Sequence, residues 1–396
     1  MNTIQLSQKQ MTHHTVIERL IRKHITEVEA AELLKKSVRQ VRRMKQNVLV
    51  SGITGLIHGN TGKTPWNKRP HDVIDQIVTL YETKYTGFNC LHFRDMLAQH
   101  ERITITRESL RTIFIAHDLP RKKRHTKRRF ERRERKPQAG MLIQQDTSIH
   151  DWFSCGTKCS LVGAIDDATN EVVCARFFSS DGTLPNMTAM KMVIEEKGIP
   201  VAFYVDQASH FRTTRYESIH VQLKGTYDET QIGRALEEIG STLILARSPQ
   251  AKGRIERLFE TLQDRLIKEL QLAGVTTIDQ GNLFLNSWIP MFNKRFMVTP
   301  ASTILSYRTL PNHLPPDLIF SIQENRLVRS DNTLSFEGKI YLVSAAKTRI
   351  SFAKATVTVH QLITGDIRIF YKGQELAYTM PWTNSLGSKQ DIIGRE

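Results

Sequence analysis

Three acidic residues in the middle of this 396-residue chain have the type and placement for one kind of chemistry: Asp146 in MLIQQDTSIHDWF, Asp206 in VAFYVDQASHF and Glu256 in SPQAKGRIERLFETLQDRL. Asp146 lies in an apolar, strand-like run, Asp206 ends another, and Glu256 sits on a helical stretch one turn after Lys252. Strands and a helix can carry such distant carboxylates to one place. Hard cations choose oxygen ligands, and Mg²⁺ keeps water and substrate phosphate in its shell, so a few carboxylates hold it. Two such ions about 3.5–4 Å apart stabilise both the attacking and the leaving oxygen of an in-line displacement at phosphorus. The pattern predicts metal-dependent phosphoryl transfer on nucleic acid.

Each of these acids has neighbours that could take its place. Asp151, Asp166 and Asp167 also lie near strand ends, but IDDATN reads as a turn whose aspartates bond backbone amides. Glu260 lies one turn beyond Glu256, in a context that favours Glu256. His210 and Gln207 beside Asp206 read as hydrogen-bonding neighbours, and Trp152 and Phe153 as core packing. His150, Cys155 and Cys159 lack the second ligand pair that structural zinc normally takes, and the uneven Cys90, Cys155, Cys159 and Cys174 are expected as reduced thiols. GNTGKT fails as a phosphate loop because Ile57 stands where the first glycine is needed.

The elements that must position the acids follow from hydrophobic pattern. From about residue 141, MLIQQDTSI, KCSLVGAIDD and EVVCARFFS read as three strands split by FSCGT and ATN. A helix at about 184–197, the buried strand PVAFYVD, a helix in TQIGRALEEIG and the strand TLILARS follow, and Pro249 opens a long helix to about Leu272. This βββαβαβα order predicts a mixed five-stranded sheet flanked by helices. One more helix is expected at 277–296. Beyond about 310, LSFEGKIYLV, RISF, ATVTVH and DIRIFYKG suggest a small β-barrel of about five strands.

The formal net charge of +16 is concentrated at the front. Residues 1–70 carry 13 Lys/Arg against 4 Asp/Glu, residues 71–120 carry 5 against 7, residues 121–136 carry 11 against 2, and the remainder holds 27 of each. Such asymmetry is the footprint of a polyanion-binding front end on a neutral body. Within it, residues 15–47 have the spacing of a helix-turn-helix. Ile17, Leu20, Ile21 and Ile25 line its first helix, Thr26 and Glu29 form a capping box for a second holding Val28, Ala31 and Leu34, and Ser37 caps a third. On that third helix Val38, Val41 and Met44 face inward, and Arg39, Gln40, Arg42 and Arg43 face out, where a recognition helix meets base edges. A second helix-turn-helix is expected in 71–119, and the run PRKKRHTKRRFERRERKPQ, with Lys122, Lys123, Arg124, Arg128 and Arg129, reads as a linker that tracks phosphates. No apolar run approaches the ~18 residues of a membrane span, and MNTIQLSQKQMTHH has no export-signal core. A cytoplasmic, nucleoid-associated protein is the expectation.

QQDTSIHDWF, LVGAIDDAT, YVDQASHF, QIGRALEEIG and SPQAKGRIERLFETLQDRLIKEL together resemble the DDE transposases and retroviral-type integrases, and more narrowly the bacterial insertion-sequence transposases of the ISNCY group. The likeness is strong over about 141–272 and looser at both ends. It implies a ribonuclease H-like α/β core in which Asp146, Asp206 and Glu256 hold two Mg²⁺ ions, with Mn²⁺ as a substitute. Many relatives carry Lys or Arg seven positions after the glutamate, where this chain has Gln263; Lys252, Arg254 and Arg257 are the expected substitutes for holding DNA phosphates. The 50 residues from Asp206 to Glu256 exceed the usual spacing, with 212–229 as the inserted segment.

The expected organisation is therefore multidomain: a helix-turn-helix DNA-binding domain (1–50), a linker (51–70), a second helix-turn-helix (71–119), a basic linker (120–138), the catalytic core (139–275), a helical connector (276–309), a small β-barrel (310–385) and a tail (386–396). The resemblance implies a transposase that binds the terminal inverted repeats of its element, cleaves the ends and joins the freed 3′-OH to target double-stranded DNA, as a dimer or larger assembly. Alternatives of the same fold are a non-catalytic DNA-binding regulator and a nuclease that cuts without joining.

Overall fold

The computed structural model describes residues 7–58, 60–61, 63, 68–120, 133–212, 230–246, 252–345 and 349–380. The chain divides into two units, Met1–Thr86 with Ile115–His117, and Gly87–Phe114 with Asp118–Glu396.

In the first unit, helices α1 (Gln8–Ile21), α2 (Glu27–Leu34) and α3 (Val38–Ser51) enclose a small core of Ile17, Leu20, Ala30, Ala31, Leu34, Val41 and Val48. The Thr26–Glu29 capping box and the Ser37 cap form as expected, each hydroxyl accepting an otherwise unpaired N–H of the first turn. Val28 is exposed instead of buried, and Ala30 takes the inward position. Helix α4 (His71–Thr83) follows. The stretch expected as one module, 71–119, is split between the units, because α5 (Cys90–His100) and most of α6 (Arg107–Ala116) belong to the second.

The second unit is built on a five-stranded sheet of order β3-β2-β1-β4-β5. Strands β1 (Ile143–His150), β2 (Cys159–Asp166) and β3 (Val172–Phe178) form an antiparallel meander, while β4 (Ala202–Val205) and β5 (Thr242–Leu245) run parallel to β1. Helices α7 (Thr183–Lys197) and α8 (Gln231–Glu238) share one core cluster with the sheet, through Met187, Met190, Val193, Ile232 and Leu236 packed with Ile143, Val162 and Phe203. Helices α9 (Gly253–Leu272) and α10 (Ile278–Phe296) share a second cluster, in which Ile255, Leu258, Leu262 and Leu266 meet Leu161, Ile165 and Trp152. The helix expected to open at Pro249 begins at Gly253, and Pro249 lies outside the described residues. The 276–309 stretch, expected as a connector, contributes α10, whose Leu285, Trp288 and Phe292 join the same core as Leu262 and Leu266.

Helix α5 is fastened to α9 and α10 by polar side chains. The buried His92 meets Glu269 at 2.8 Å, Asp95 meets Arg265 at 3.0 Å and also Arg295, and Asn89 donates to Asp264.

The C-terminal strands differ from the expected barrel. After a short turn of helix, α11 (Pro316–Ile319), come β6 (Ile322–Leu327), β7 (Thr333–Phe336), β8 (Lys339–Val343), β9 (Thr356–Gln361), β10 (Ile367–Tyr371), β11 (Gln374–Leu376) and β12 (Tyr378–Thr379). They form two sheets, of order β11-β10-β9-β6 and β12-β8-β7, that share one apolar cluster, and among the described residues no closed barrel is found. RISF makes no strand because Asn332 Oδ1 accepts the Phe352 N–H at 2.7 Å and the Ser351 hydroxyl at 2.9 Å, taking the place of a ladder partner. No described helix is long and apolar enough to cross a membrane.

Candidate active site

Asp146 and Asp206 meet through strand register. Parallel pairing sets Ile143 against Phe203 and Gln144 against Tyr204; the same offset, continued two residues, brings Asp146 alongside Asp206 just past the carboxyl end of β4. Carboxyl ends of parallel strands are where open α/β sheets hold ligands. Side chains alternate along β1, so Gln144 and Asp146 share the α9 face, while Gln145 points to α7, where its Nε2 donates to Asn186 Oδ1 at 2.9 Å. Burial pushes the Asp146 carboxyl above its ordinary range; Lys252 opposes that shift, and the charge of Asp206 adds to it. Asp206 Oδ1 accepts the N–H of Ala208 at 2.9 Å, which fixes the turn beyond the strand.

Glycine lets the helix come close to this pair. Gly163 on β2 lies directly across from Asp146, and a Cβ there would sit 3.2 Å from the Phe259 ring and 3.8 Å from Ile255. The missing side chain therefore seats α9 over the β1–β2 pair at the level of Asp146.

At the head of α9 the basic residues are not free for DNA in the way their spacing suggests. The Lys252 ammonium lies 2.9 Å from Asp146 Oδ1 with its side chain buried. Arg254 Nη1 lies 2.7 Å from Asp167 Oδ1, and the Ile255 N–H donates to Gln144 Oε1 at 3.3 Å. Glu256 is on the first turn and exposed, as is Arg257. Among the described residues no group of three His, Cys, Asp or Glu is close enough to hold a metal ion. The structure thus brings Asp146 and Asp206 together and leaves Glu256 outside their immediate group.

Two adjacent carboxylates fit a hard divalent cation, which is commonly held by one or two carboxylates completed by water and phosphate. The Lys252 ammonium now stands on the first of them, as a positive charge that a cation there has to compete with. None of the four cysteines is in a disulfide; Cys155 is exposed, and burial pushes the Cys159 thiol up to about 11.

The neighbours fall into place as follows. Asp166 bonds the Ala168 and Thr169 amides, and Asp151 those of Cys155 and Gly156, as turn aspartates do. His210 lies 3.3 Å from Asn186 Nδ2, and Gln207 donates to the Ala246 carbonyl at 2.8 Å. Gln263 donates to Ser148 on β1 at 3.2 Å. Trp152 and Phe153 are core residues. On α3, Arg39, Arg42 and Arg43 are exposed and Gln40 half-buried, with Arg42 bonded to Glu27 at 2.6 Å. Lys122, Lys123, Arg124, Arg128 and Arg129 lie outside the described residues, as does nearly all of the 212–229 segment.

Sequence reasoning missed Asp167. It is fully buried and collects Arg133, Lys136, Gln144 and Arg254, whereas IDDATN suggested a simple turn. A signal was present: a second acid directly after the strand-ending Asp166 exceeds what the turn needs.

No protein-family profile matches the chain. It is 32% identical over 382 residues to a protein of Sinorhizobium fredii described as transposase y4bF, spanning 96% of this chain and 82% of that one. It is 28% identical over 389 residues to the transposase for insertion sequence IS1202 of Streptococcus pneumoniae, spanning 89% of this chain and 82% of the relative. Among solved structures it matches the HTLV-2 integrase catalytic core domain in complex with magnesium, at 14% identity and a TM-score of 0.29 over 42% of this chain and 94% of that one. With 96% of the chain and 82% of the relative matched at 32% identity, the chain belongs to the transposases of insertion sequences.

Proposed function

We propose that this DNA transposase is of the DDE type: it cleaves the ends of its element at a phosphodiester and then directs the freed 3′-OH at target DNA. Both steps are direct displacements at phosphorus with no covalent protein intermediate: water attacks the end phosphodiester and the 3′-oxygen leaves as the freed 3′-OH, which then attacks a target phosphodiester and displaces a target 3′-oxygen. The observation that carries the reading is the register of β1 and β4, which sets Asp146 and Asp206 side by side at the carboxyl end of the sheet. Glu256, on the helix packed against β1 and β2, is the third carboxylate. Mg²⁺ held by these residues would supply Lewis-acid stabilisation of the charge that develops on the phosphodiester oxygens. Asp146 and Asp206 bind and orient, while the buried face of α9 excludes water from one side of the pair.

The exposed arginines of α3 and the basic run before the core support binding of end DNA by the front of the chain. The near-neutral body would otherwise gain little from phosphate attraction, since its carboxylate site repels DNA until a cation is bound. Joining two ends to one target requires a dimer or larger assembly, in which the C-terminal sheets offer a surface for DNA or a second protomer.

The test is joining of end DNA in Mg²⁺ or Mn²⁺ by Asp146→Asn, Asp206→Asn and Glu256→Gln. All three are expected to bind end DNA normally and neither cleave nor join it. Joining at the wild-type rate by any one of them removes that residue from the set.

A further inference from the structure

Asp167 follows β2 directly, and its side chain is fully buried. Three segments converge on its carboxylate. Oδ1 accepts from Arg254 at 2.7 Å, from Gln144 at 2.7 Å and from Arg133; Oδ2 accepts the Lys136 N–H at 2.8 Å. The ring closes on itself, since Arg254 Nη2 donates to the Arg133 carbonyl at 3.0 Å and Gln144 Oε1 accepts the Ile255 N–H at 3.3 Å.

Two members of the ring lie on the elements that carry the first and third acids. Gln144 is two residues before Asp146 on the same face of β1, and Arg254 is two residues before Glu256 on the first turn of α9. One carboxylate therefore ties the strand that carries the first acid to the helix that carries the third. Attachment of α9 does not need it, because Ile255, Leu258, Phe259 and Leu262 already bury the apolar face of the helix. Desolvating an acid and its arginines is moreover a poor way to gain stability alone. What apolar contacts leave loosely defined is the rotation and axial position of a helix, and short directional bonds fix those.

We propose that Asp167 is a positioning residue for phosphoryl transfer: it sets the first turn of α9 against β1 and so the angle from which Glu256 addresses the Asp146–Asp206 pair. This rests on the reading of Glu256 as the third carboxylate. The same junction anchors residues 133–136, the end of the basic run, so the segment that leads DNA-binding modules into the core is fastened to the helix that completes the site.

The experiment uses the full chain and joining of pre-cleaved end DNA, titrated with Mg²⁺, for Asp167→Asn, Arg254→Gln, Arg254→Lys and Glu256→Gln. Melting temperature and metal-free binding of end DNA are measured alongside. Loss of residues that orient metal ligands typically costs 10–100-fold in metal affinity or activity. Asp167→Asn and Arg254→Gln are expected to raise the half-saturating Mg²⁺ concentration at least about tenfold, Arg254→Lys to recover part of that loss, and end binding to stay unchanged. Unaltered Mg²⁺ dependence in both Asp167→Asn and Arg254→Gln overturns the proposal. So does a parallel loss of melting temperature, end binding and joining that excess Mg²⁺ does not restore, which is the mark of a purely structural role. If Asp167→Asn does not fold, the two Arg254 variants decide, because that side chain lies at the edge of the junction. Glu256→Gln separates the two ideas: an inactive Glu256→Gln beside a normal Asp167→Asn sinks only the positioning role, whereas an active Glu256→Gln removes the third carboxylate and this proposal with it.

Discussion

The Lys252 ammonium sits 2.9 Å from the Asp146 carboxylate, with 6% of the lysine side chain and 23% of the aspartate side chain exposed. A basic residue expected on DNA phosphate is thus spent on an acid of the candidate site. It answers the charge of two neighbouring carboxylates, and a divalent cation binding at Asp146 meets that fixed positive charge. Lys252→Gln is therefore expected to lower the Mg²⁺ concentration that half-saturates joining. In the absence of metal the same variant should unfold more easily, by less than the about 3–5 kcal/mol that breaking a fully buried pair costs. Mg²⁺ titration and thermal melts with and without metal check both; a raised Mg²⁺ requirement would mean that Lys252 assists the cation instead of competing with it.

Gly163 is the seat of α9. A valine there meets the Phe259 ring, and overpacking of this kind costs about 1–3 kcal/mol. The Phe259 ring or the helix that carries it must give way, so Gly163→Val is expected to depress joining more than its melting temperature implies, and Gly163→Ala less so. Joining rates at saturating Mg²⁺, compared at temperatures where each variant is fully folded, provide the measure. Wild-type joining by Gly163→Val would show that the approach of α9 is not critical.

Arginines on α3 should separate by their partners. Arg42 is already bonded to Glu27, whereas among the described residues no such bond is seen for Arg43. Each phosphate contact removed lowers the slope of log affinity against log salt by about 1. Arg43→Ala is expected to do so on end DNA of any sequence, with Arg42→Ala weaker in effect. Binding isotherms over a range of salt concentrations test this, and a slope unchanged by Arg43→Ala takes that residue off the backbone.

His92 makes the attachment of α5 sensitive to acid. Burial lowers its pKa from the ordinary 6.5, although Glu269 opposes the shift, and among the described residues its Nδ1 has no hydrogen-bond partner. The unfolded chain therefore takes up a proton at a pH where the folded one does not, so stability falls as pH drops from about 6.5 toward the lowered value. Melting temperature measured from pH 7.5 downward should decline across that window in the wild type and decline less in His92→Gln. Parallel curves would show that another group governs the loss.

Much of the second unit was legible because its signals are local. Apolar runs of strand length, the βββαβαβα order and the cap residues each depend on neighbours in sequence, and the sheet formed as expected. Strand β6 was not legible: it is an edge strand, half-buried and polar in QENR, and only pairing with β9 makes it a strand. The barrel expectation is not confirmed, for a related reason: no closed barrel is found among the described residues. Strands such as β8, β9 and β10 can be read from alternation, but which edges meet depends on pairing between distant segments.

The sequence by itself determined the chemistry available, since Asp146, Asp206 and Glu256 stand in strand and helix contexts that local pattern reveals. Only the tertiary structure decided how they are used. Strand register put Asp146 beside Asp206, Gly163 admitted α9, Lys252 went to a carboxylate, and Asp167 gathered arginines from two segments. The physical reason is that a charged side chain takes its partner from whatever burial places beside it, and burial belongs to the fold as a whole.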